Sequence, residues 1–507
     1  MKTKMKVCTG LLAALSVLPT GAQAAFSINS DTGMGQLNYL ENQKRAAREN
    51  ALTEDEKQLL ADSKEIQKQQ TQQVPPGTDV PVALEGDELF YDERTGEVYV
   101  KGNVVITQLQ ERLITDEANG NIKTKDVEVP GKARMLDLTR GHMHVRLDGY
   151  ETKYNYGTQT GTMDNPNGKV GNKYVTGQKI EFFPDKKVIY KGTATKCGAK
   201  SPHYHISAEK IEIWPNEKMV MHNANFWLGK TCLYHRDRYE TRLDGKDDDP
   251  VYPRVGYDSD DGFWISQNFS VPLARKVSAD TDIRYLSRHG MMNEYNLRWS
   301  NGGASYRLAY GNYEDSDSHW IKKTPSFIWS YGHRIGDTPF KYSLGYEIGK
   351  WYNNGIHSTH KKYSISLSRD TIILPGRWRW SNGIGYSITD ESYDDSRSKG
   401  FSWASTFLKD FDDRWSAYAG YRYSHSNREN SLFAYDTADY AQKIETGFSY
   451  RFSDKDRLAI GVNYDLKGKE IRDVDYYWFH DLHCAQMLLR YRGKRNIWNI
   501  SFEFAPW

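Results

Sequence analysis

The sequence predicts an all-β protein in which a roll of short strands precedes a transmembrane antiparallel β-barrel of about 14–16 strands. Long runs in the second half alternate apolar and polar residues, as in residues 340–349 and 458–466, and a period of two is typical of strands with one apolar face. Mean hydropathy is only −0.76, and no stretch after residue 25 is long and apolar enough for a membrane helix. If the chain crosses a membrane, it therefore does so as a closed barrel, in which the backbone amides pair with one another within the sheet.

Residues 1–24 are typical of a secretory signal peptide. Lysines at positions 2, 4 and 6 precede an apolar run over residues 7–18, and Ala-Gln-Ala at 22–24 fits a cleavage site. We expect cleavage after Ala24. The mature chain then keeps Cys197, Cys232 and Cys484, so that at most one intramolecular disulfide can form among them.

Residues 25–83 form a polar arm or linker. Thr53 followed by Glu56 matches a capping box and predicts a helix to about Gln70. A mobile arm or short helical hairpin and a partner-binding helix are both open interpretations. The 68 basic and 66 acidic residues of the chain give a net charge of +2, which does not indicate a nucleic-acid partner.

Residues 84–245 carry the pattern of a β-roll. Residues 179–190 align without a gap to residues 210–221, and the same strand, turn, strand plan occurs over residues 89–100. Repeated hairpins stack into a solenoid or a roll with an interior. The side chains predicted to line that interior are Tyr91, Val98, Val100, Val104 and Ile106.

Residues 246–507 are predicted to form the barrel. An acidic segment over residues 247–261 precedes alternating strands that run from Gly262 to the end, and an even number of strands is usual in bacterial barrels. Short turns near residues 412–413 and 453–456 contrast with longer polar stretches near 392–399 and 427–438, which predict opposite rims. Phe504 and the terminal Trp507 fit a C-terminal barrel signal.

Motifs for chemistry are weak. His142 with His144, and His203 with His205, have metal-like alternate spacing but no fixed partner, so solvated histidines are favoured and no metal is expected. The aspartates of residues 247–261 lack a full calcium-loop pattern, which favours a solvated loop. The spacing of residues indicates no Gly-rich phosphate loop, no Ser/His/Asp arrangement and no pair of catalytic carboxylates. We therefore expect no cofactor and no enzymatic activity.

Several segments together resemble the LptD/OstA lipopolysaccharide assembly proteins. The likeness covers nearly all of the mature chain after residue 85, and its segments are residues 87–96, 102–106, 195–197, 206–211, 223–226, 253–257 and 483–485. The barrel is shorter than in the familiar proteobacterial members, so we expect a narrower one. The N-terminal arm has no recognisable counterpart.

The resemblance implies an OstA-like periplasmic roll below an outer-membrane barrel. The roll would receive lipopolysaccharide from an LptA-like periplasmic bridge protein that pairs with its edge, and the barrel would insert the lipid into the outer leaflet. Further implied partners are an LptE-like lipoprotein plug and the barrel-assembly machinery. No bond is made or broken in this process, so the implied protein is a translocon. The alternative is a porin or envelope-anchoring barrel whose roll binds another component.

The resemblance also implies particular pairings of residues. A disulfide between Cys197 and Cys484 would clamp the roll to the barrel, while a Cys197–Cys232 bridge or three thiols stay open. The lateral exit is expected where the first barrel strand, assigned around Pro272, meets the last strand with Trp498, Ile500, Phe502 and Phe504. A proline removes one hydrogen bond from the ladder and would weaken this seam. The competing interpretation is that Pro272 only ends a strand at its rim.

Overall fold

A computed structural model describes two compact units, the roll unit within residues 82–243 and the barrel unit formed by residues 252–504 with residues 32–45. The described residues are 32–49, 82–108, 111–137, 145–199, 201–215, 217–243, 252–314, 320–425, 432–433, 435, 441–482 and 484–504. The signal peptide, the helix expected at residues 53–70, His142, His144 and Trp507 lie outside them.

One helix, α1 (Gly33–Glu49), precedes the strands of the described chain. Thr32 caps its start, because the Thr32 hydroxyl accepts a hydrogen bond of 3.0 Å from the backbone amide of Gly35. Met34, Leu37 and Leu40 repeat every three residues and give one apolar stripe. The helix expected from the capping box begins only at residue 53, so α1 was not predicted. None of the described helical residues forms a segment long and apolar enough to cross a membrane.

The roll unit is a 13-stranded antiparallel sheet. Its strands are β1 (Ala83–Glu85), β2 (Glu88–Tyr91), β3 (Glu97–Gln108), β4 (Glu111–Asn121), β5 (Asp126–Asp137), β6 (Val145–Asn155), β7 (Thr160–Val170), β8 (Lys173–Thr176), β9 (Lys179–Phe182), β10 (Lys187–Thr195), β11 (Tyr204–Trp214), β12 (Lys218–Leu228) and β13 (Thr231–Arg242). Strands β3 to β8 each pair with the next along the chain, as do β10 to β13, while β10 also pairs with β8, and β9 pairs with β7 and β10. At one edge, β1 and β2 both pair with β3.

The internal repeat forms two equivalent hairpins. Ile180 pairs with Ile189 between β9 and β10, and Ile211 pairs with Met221 between β11 and β12. These four side chains are fully buried, which places the apolar side of both hairpins in the interior. The prediction of repeated hairpins with a common inside is confirmed.

The barrel unit closes as a ring of antiparallel strands. Its strands are β14 (Arg254–Asp258), β15 (Gly262–Ala274), β16 (Val277–Leu286), β17 (Gly290–Met291), β18 (Glu294–Asn301), β19 (Ala304–Glu314), β20 (Trp320–Arg334), β21 (Phe340–Asn353), β22 (Ile356–Leu374), β23 (Trp378–Glu391), β24 (Ser396–Asp410), β25 (Trp415–His425), β26 (Gln442–Arg451), β27 (Asp456–Asp465), β28 (Glu470–Asp481), β29 (Ala485–Arg492) and β30 (Ile497–Phe504). The two-residue β17 and β18 both pair with β16, so the wall has sixteen strands. The predicted strand number is confirmed.

The two faces of the wall differ as the alternation predicts. Large apolar side chains on the outer face are exposed on strand after strand, including Leu297, Leu308, Ile365, Ile384, Phe448 and Leu458. Polar residues of the alternate positions are buried on the inner face, including Asp282, Asn296, Ser326, His360, Glu445 and Ser449. An exposed apolar belt of this extent is typical of a surface covered by lipid.

The connections define two rims. The terminal rim is the end at which β14 begins and β30 ends, and it holds the short turns over residues 411–414 and 452–455. The opposite rim holds the β23–β24 turn and the long β25–β26 connection over residues 426–441. Both pairs of connections lie on the rims that the sequence predicts.

Candidate functional site

The lumen of the barrel contains helix α1. Its apolar stripe packs on inward-facing side chains of β24, β25, β27 and β28 in one buried cluster. The members of that cluster are Met34, Leu37, Leu40, Leu408, Tyr418, Ala459, Tyr477 and Phe479, with Leu488 against its side. Leu37 has no exposed surface. The helix is therefore part of the core of the barrel unit.

Polar contacts fix the helix at the terminal rim. The ammonium group of Lys44 lies 2.5 Å from a carboxylate oxygen of Asp410 and 3.0 Å from one of Glu41. The Ser416 hydroxyl donates a 2.8 Å hydrogen bond to Glu41, and Arg457 donates one to Asn38. Because these groups are largely removed from water, a partner left alone would be costly.

The start of the helix is held deeper in the lumen. The backbone amide of Gly33 donates a 3.2 Å hydrogen bond to a carboxylate oxygen of Glu445, whose side chain also pairs with Arg422. A carboxylate beside the first turn is favourable, since the amides there point outward unpaired.

A second cluster fills part of the lumen near the opposite rim. Phe433, from the β25–β26 connection, is buried against Trp351, Tyr313 and neighbouring apolar side chains. The ammonium group of Lys323 lies 5.1 Å from the ring centre of Trp351 and 2.8 Å from a Glu347 oxygen. The amide of Asn353 donates a 2.7 Å hydrogen bond to the carbonyl of Leu432, so described residues of this connection are tied to the wall.

Charged groups line the lumen between these two clusters and the seam. Arg284 is almost fully buried, and its guanidinium lies 2.8 Å from Glu314, 3.1 Å from Asp282 and 3.9 Å from Glu294. On β29, Arg490 lies 2.5 Å from Asp475. The parts of the inner wall around Arg284 and Arg490 are therefore suited to polar groups and not to an uncovered acyl chain.

The ring closes between β14 and β30. Four residue pairs join these strands, from Val255 with Phe502 to Asp258 with Asn499, against fourteen between β21 and β22. Ile500 pairs with Tyr257, and the carbonyl of Trp498 accepts a hydrogen bond from the amide of Ser259. Phe504 pairs with Ala485 of β29.

The assignment of Pro272 to the first barrel strand is wrong. The first strand is β14, which the acidic segment concealed, and Pro272 lies in the second strand, where it pairs with Ser278 of β16. The ladder shifts register between Pro272 and Ala274, the last residue of the strand. Pro272 therefore lies near the end of a strand at the terminal rim. A residue without an amide hydrogen is tolerated at such a position, because few ladder hydrogen bonds remain to be lost there.

The roll interior contains four of the five predicted lining residues. Val98, Val100, Val104 and Ile106 of β3 are 0–7% exposed. Tyr91 is half-exposed on the edge strand β2, so it is not part of the buried row. It lines the cavity of about 990 Å³ next to that edge, together with Val98, Tyr99 and Tyr154.

A polar group interrupts the apolar interior of the roll. The Tyr154 hydroxyl donates a 3.0 Å hydrogen bond to Glu111, and Lys187 lies 3.4 Å from Asp137. Burial, together with the carboxylate of Asp137, raises the pKa of Glu111, although Lys187 and the Tyr154 hydrogen bond oppose that shift. The pair of Lys187 and Asp137 joins β10 to β5, which are not neighbours in the sheet, so it connects separate parts of the roll.

The remaining sequence motifs take part in local structure. The Nδ1 atom of His203 lies 3.7 Å from the sulfur of Cys197, and His205 stacks on Trp227. Cys232 lies at the start of β13, and Cys484 directly precedes β29. The pairing of Cys197 with Cys484, or with Cys232, stays a prediction.

The acidic segment is not a solvated loop where it is described. Asp258 and Asp261 are buried, and an Asp258 carboxylate oxygen accepts hydrogen bonds from the amides of Asp260 and Asp261. The turn between β14 and β15 therefore uses this carboxylate itself, as an aspartate commonly does in a turn.

Comparison with known proteins finds similarity in structure only. No family model and no curated protein sequence matches the chain. The solved structure of LptH from Pseudomonas aeruginosa, an LptA-homologous periplasmic component of lipopolysaccharide transport, is 18% identical, with 20% of this chain and 74% of that chain covered and a TM-score of 0.19. Two mutants of the Rh. blastica porin are 10% and 9% identical, with 50% of this chain and 97% of each porin covered and a TM-score of 0.29. What the chain does is inferred below from its own residues.

Proposed function

We propose that the protein is an outer-membrane translocon that takes lipopolysaccharide from a periplasmic bridge and inserts it into the outer leaflet. The observation that carries the proposal is the combination, in one chain, of a roll with an apolar interior and a barrel whose lumen is occupied by its own helix. A lumen that contains a helix argues against free diffusion of solutes through the centre of the barrel. It does not argue against lipid insertion, because a lipid has to leave the barrel through its wall.

The wall has a suitable place for lateral exit. Strand β14 has short ladders on both sides, with four residue pairs to β30 and five to β15, against fourteen between β21 and β22. Separating two strands costs their shared hydrogen bonds and side-chain contacts, so a ladder as short as the one between β14 and β30 is expected to open at a low cost. Acyl chains would then pass into the bilayer while the sugars remain in the polar lumen.

The edge of the roll supports the bridge partner. All four residues of β2 are exposed, with Leu89, Phe90 and Tyr91 each at least half-exposed. An exposed edge strand with apolar side chains is a template for pairing with another strand. We infer that an LptA-like protein adds to this edge in the periplasm and delivers the lipid next to the cavity.

For acyl chains to advance beyond that cavity, the side chains that fill the roll interior have to move apart. The buried valines of β3, and the residues Tyr154, Lys187 and Asp137, are at most 9% exposed. The role proposed for the roll is therefore that of an apolar path that opens with its cargo. No covalent chemistry is involved in this role, and we propose no enzymatic activity.

Depletion of the protein tests this function. We expect cells depleted of the chain to lose newly made lipopolysaccharide from the surface and to accumulate it in the periplasm and inner membrane, because a translocon is the last step of the route. Surface labelling of the lipid measures the loss, and an outer-membrane porin labelled in parallel is the control. Normal surface lipid after depletion would contradict the proposal.

The alternative of a porin has one observation in its favour, the charged inner wall around Arg284 and Arg490. Such a lumen is usual in barrels that pass ions and small polar solutes. Sustained ion conductance of the purified protein, with normal surface lipid in depleted cells, would favour the porin.

A further inference from the structure

The lumen wall has a shape that fits helix α1. A Cβ atom at Gly33 would lie 2.2 Å from a ring carbon of Tyr418, so the helix approaches this ring as closely as a glycine permits. A Cβ atom at Gly461 would lie 3.2 Å from the terminal carbon of Met34. A glycine of the helix and a glycine of β27 thus lie where the helix and the wall come close.

The polar contacts of α1 also match it to this one position. Lys44 meets Asp410 of β24, Arg45 lies 3.8 Å from Asp481 of β28, and the amide of Gly33 meets Glu445 of β26. Each basic group of the helix in this set faces a carboxylate of the wall. The charge complementarity extends over residues 33–45, which span about 20 Å along a helix.

The helix is large enough to matter for permeation. Barrels of 16–18 strands ordinarily leave an aqueous channel, and a helix with its side chains is about 10–12 Å in diameter. The cluster around Phe433 and Trp351 narrows the described lumen further, near the opposite rim. The apolar packing of Leu37 in the wall cluster means that the helix leaves its place only by exposing that surface.

We propose that α1 is an intramolecular plug, which blocks the barrel to ions and small solutes. The space along β24–β28 is then filled by this chain, and no separate plug protein is needed there. This inference goes beyond the lipid function, since the block concerns ions and applies whatever the barrel transports.

Single-channel recording of the full-length protein in planar bilayers tests the plug. The test variant is Leu37→Glu, which places a carboxylate in the apolar cluster, and the matched control is Tyr39→Glu, which places the same group on a side chain that is 63% exposed in the same helix. Slower migration on gels after boiling verifies that each barrel is closed. The assay contains no lipopolysaccharide, so its result is separate from that of the depletion experiment.

We expect rare openings in the wild-type protein and in Tyr39→Glu, and at least about tenfold more open time in Leu37→Glu, because each 1.4 kcal/mol lost from the docked helix changes its occupancy tenfold. Continuous conductance of the wild-type protein would overturn the inference, and so would unchanged conductance of a closed Leu37→Glu barrel. If the Leu37→Glu barrel does not close, Lys44→Gln replaces it, and unchanged conductance in that variant has the same meaning.

Discussion

Glu111 is a carboxyl group of the roll whose surroundings favour its protonated form. It receives a hydrogen bond from Tyr154, and it lies near both Asp137 and Lys187. Its pKa is raised, first by burial and then by Asp137, from the usual value of 4.5. The folded protein therefore holds the proton of Glu111 more tightly than the unfolded chain does.

This shift predicts a pH dependence of roll stability. A carboxyl group with a raised folded-state pKa contributes stability that is complete below its unfolded-state pKa and is lost as pH rises through the folded value. We expect amide exchange in β4 and β6 of the full-length protein to slow as the pH is lowered from neutral towards 4.5, the usual pKa of a glutamate, after correction for intrinsic rates. In Glu111→Gln this change should disappear.

The control for that measurement is Glu117→Gln on the same strand, which should keep the wild-type pH dependence. An undiminished pH dependence in Glu111→Gln would show that another group is responsible. Hydrogen exchange is suited to the question because it reports on the roll while the barrel remains attached.

The element at which we propose lateral opening is the short pairing of β14 with β30. Oxidised cysteines at Tyr257 and Ile500, which are paired across this seam, should stop delivery of lipopolysaccharide to the surface, and a reductant should restore it. The same crosslink between Leu344 and Ile365, paired in the long ladder of β21 and β22, should leave delivery unchanged. Normal delivery with a complete seam crosslink would exclude the seam as the exit.

The strands were predictable because their signal is local. The alternation in residues 340–349 and the repeat of residues 179–190 each follow from side chains a few positions apart, and both appear in the structure as expected. The face of β29 that contains Leu488 and Arg490 also points into the lumen as its pattern suggests. Local alternation is sufficient in these strands, because one face meets lipid and the other meets polar groups.

Two elements were not predictable in this way. The apolar stripe of helix α1 consists only of Met34, Leu37 and Leu40, because the wall supplies most of the apolar surface that buries the helix. The signal available for this helix was the spacing of those three residues, three positions apart, after the capping residue Thr32. Strand β14 has five residues within an acidic segment, too few for a clear alternation. Its omission moved the expected first strand to Pro272.

The whole molecule joins a strand-rich roll unit to a closed barrel of sixteen strands. If a bridge protein adds to the roll edge, Phe90→Lys should weaken its binding to the full-length protein about tenfold, because a charge on an edge strand opposes strand addition. Ile122→Lys is the control, since Ile122 is also exposed but lies between β4 and β5. Equal affinities of these two variants in a binding titration with a purified LptA-like protein would argue against the edge.

The position of α1 constrains the biogenesis of the protein. This helix precedes every described strand in the chain, yet the ring around it is completed only when β30, the last strand, meets β14. Insertion machinery that releases the ring as soon as its ends meet must therefore either close it over an occupant already in place or leave the N-terminal segment to thread in afterwards. If the ring closes over a helix already in place, deletion of residues before position 50 would impair assembly of the barrel itself. Such truncations would then lower the yield of correctly inserted protein, whatever their effect on transport.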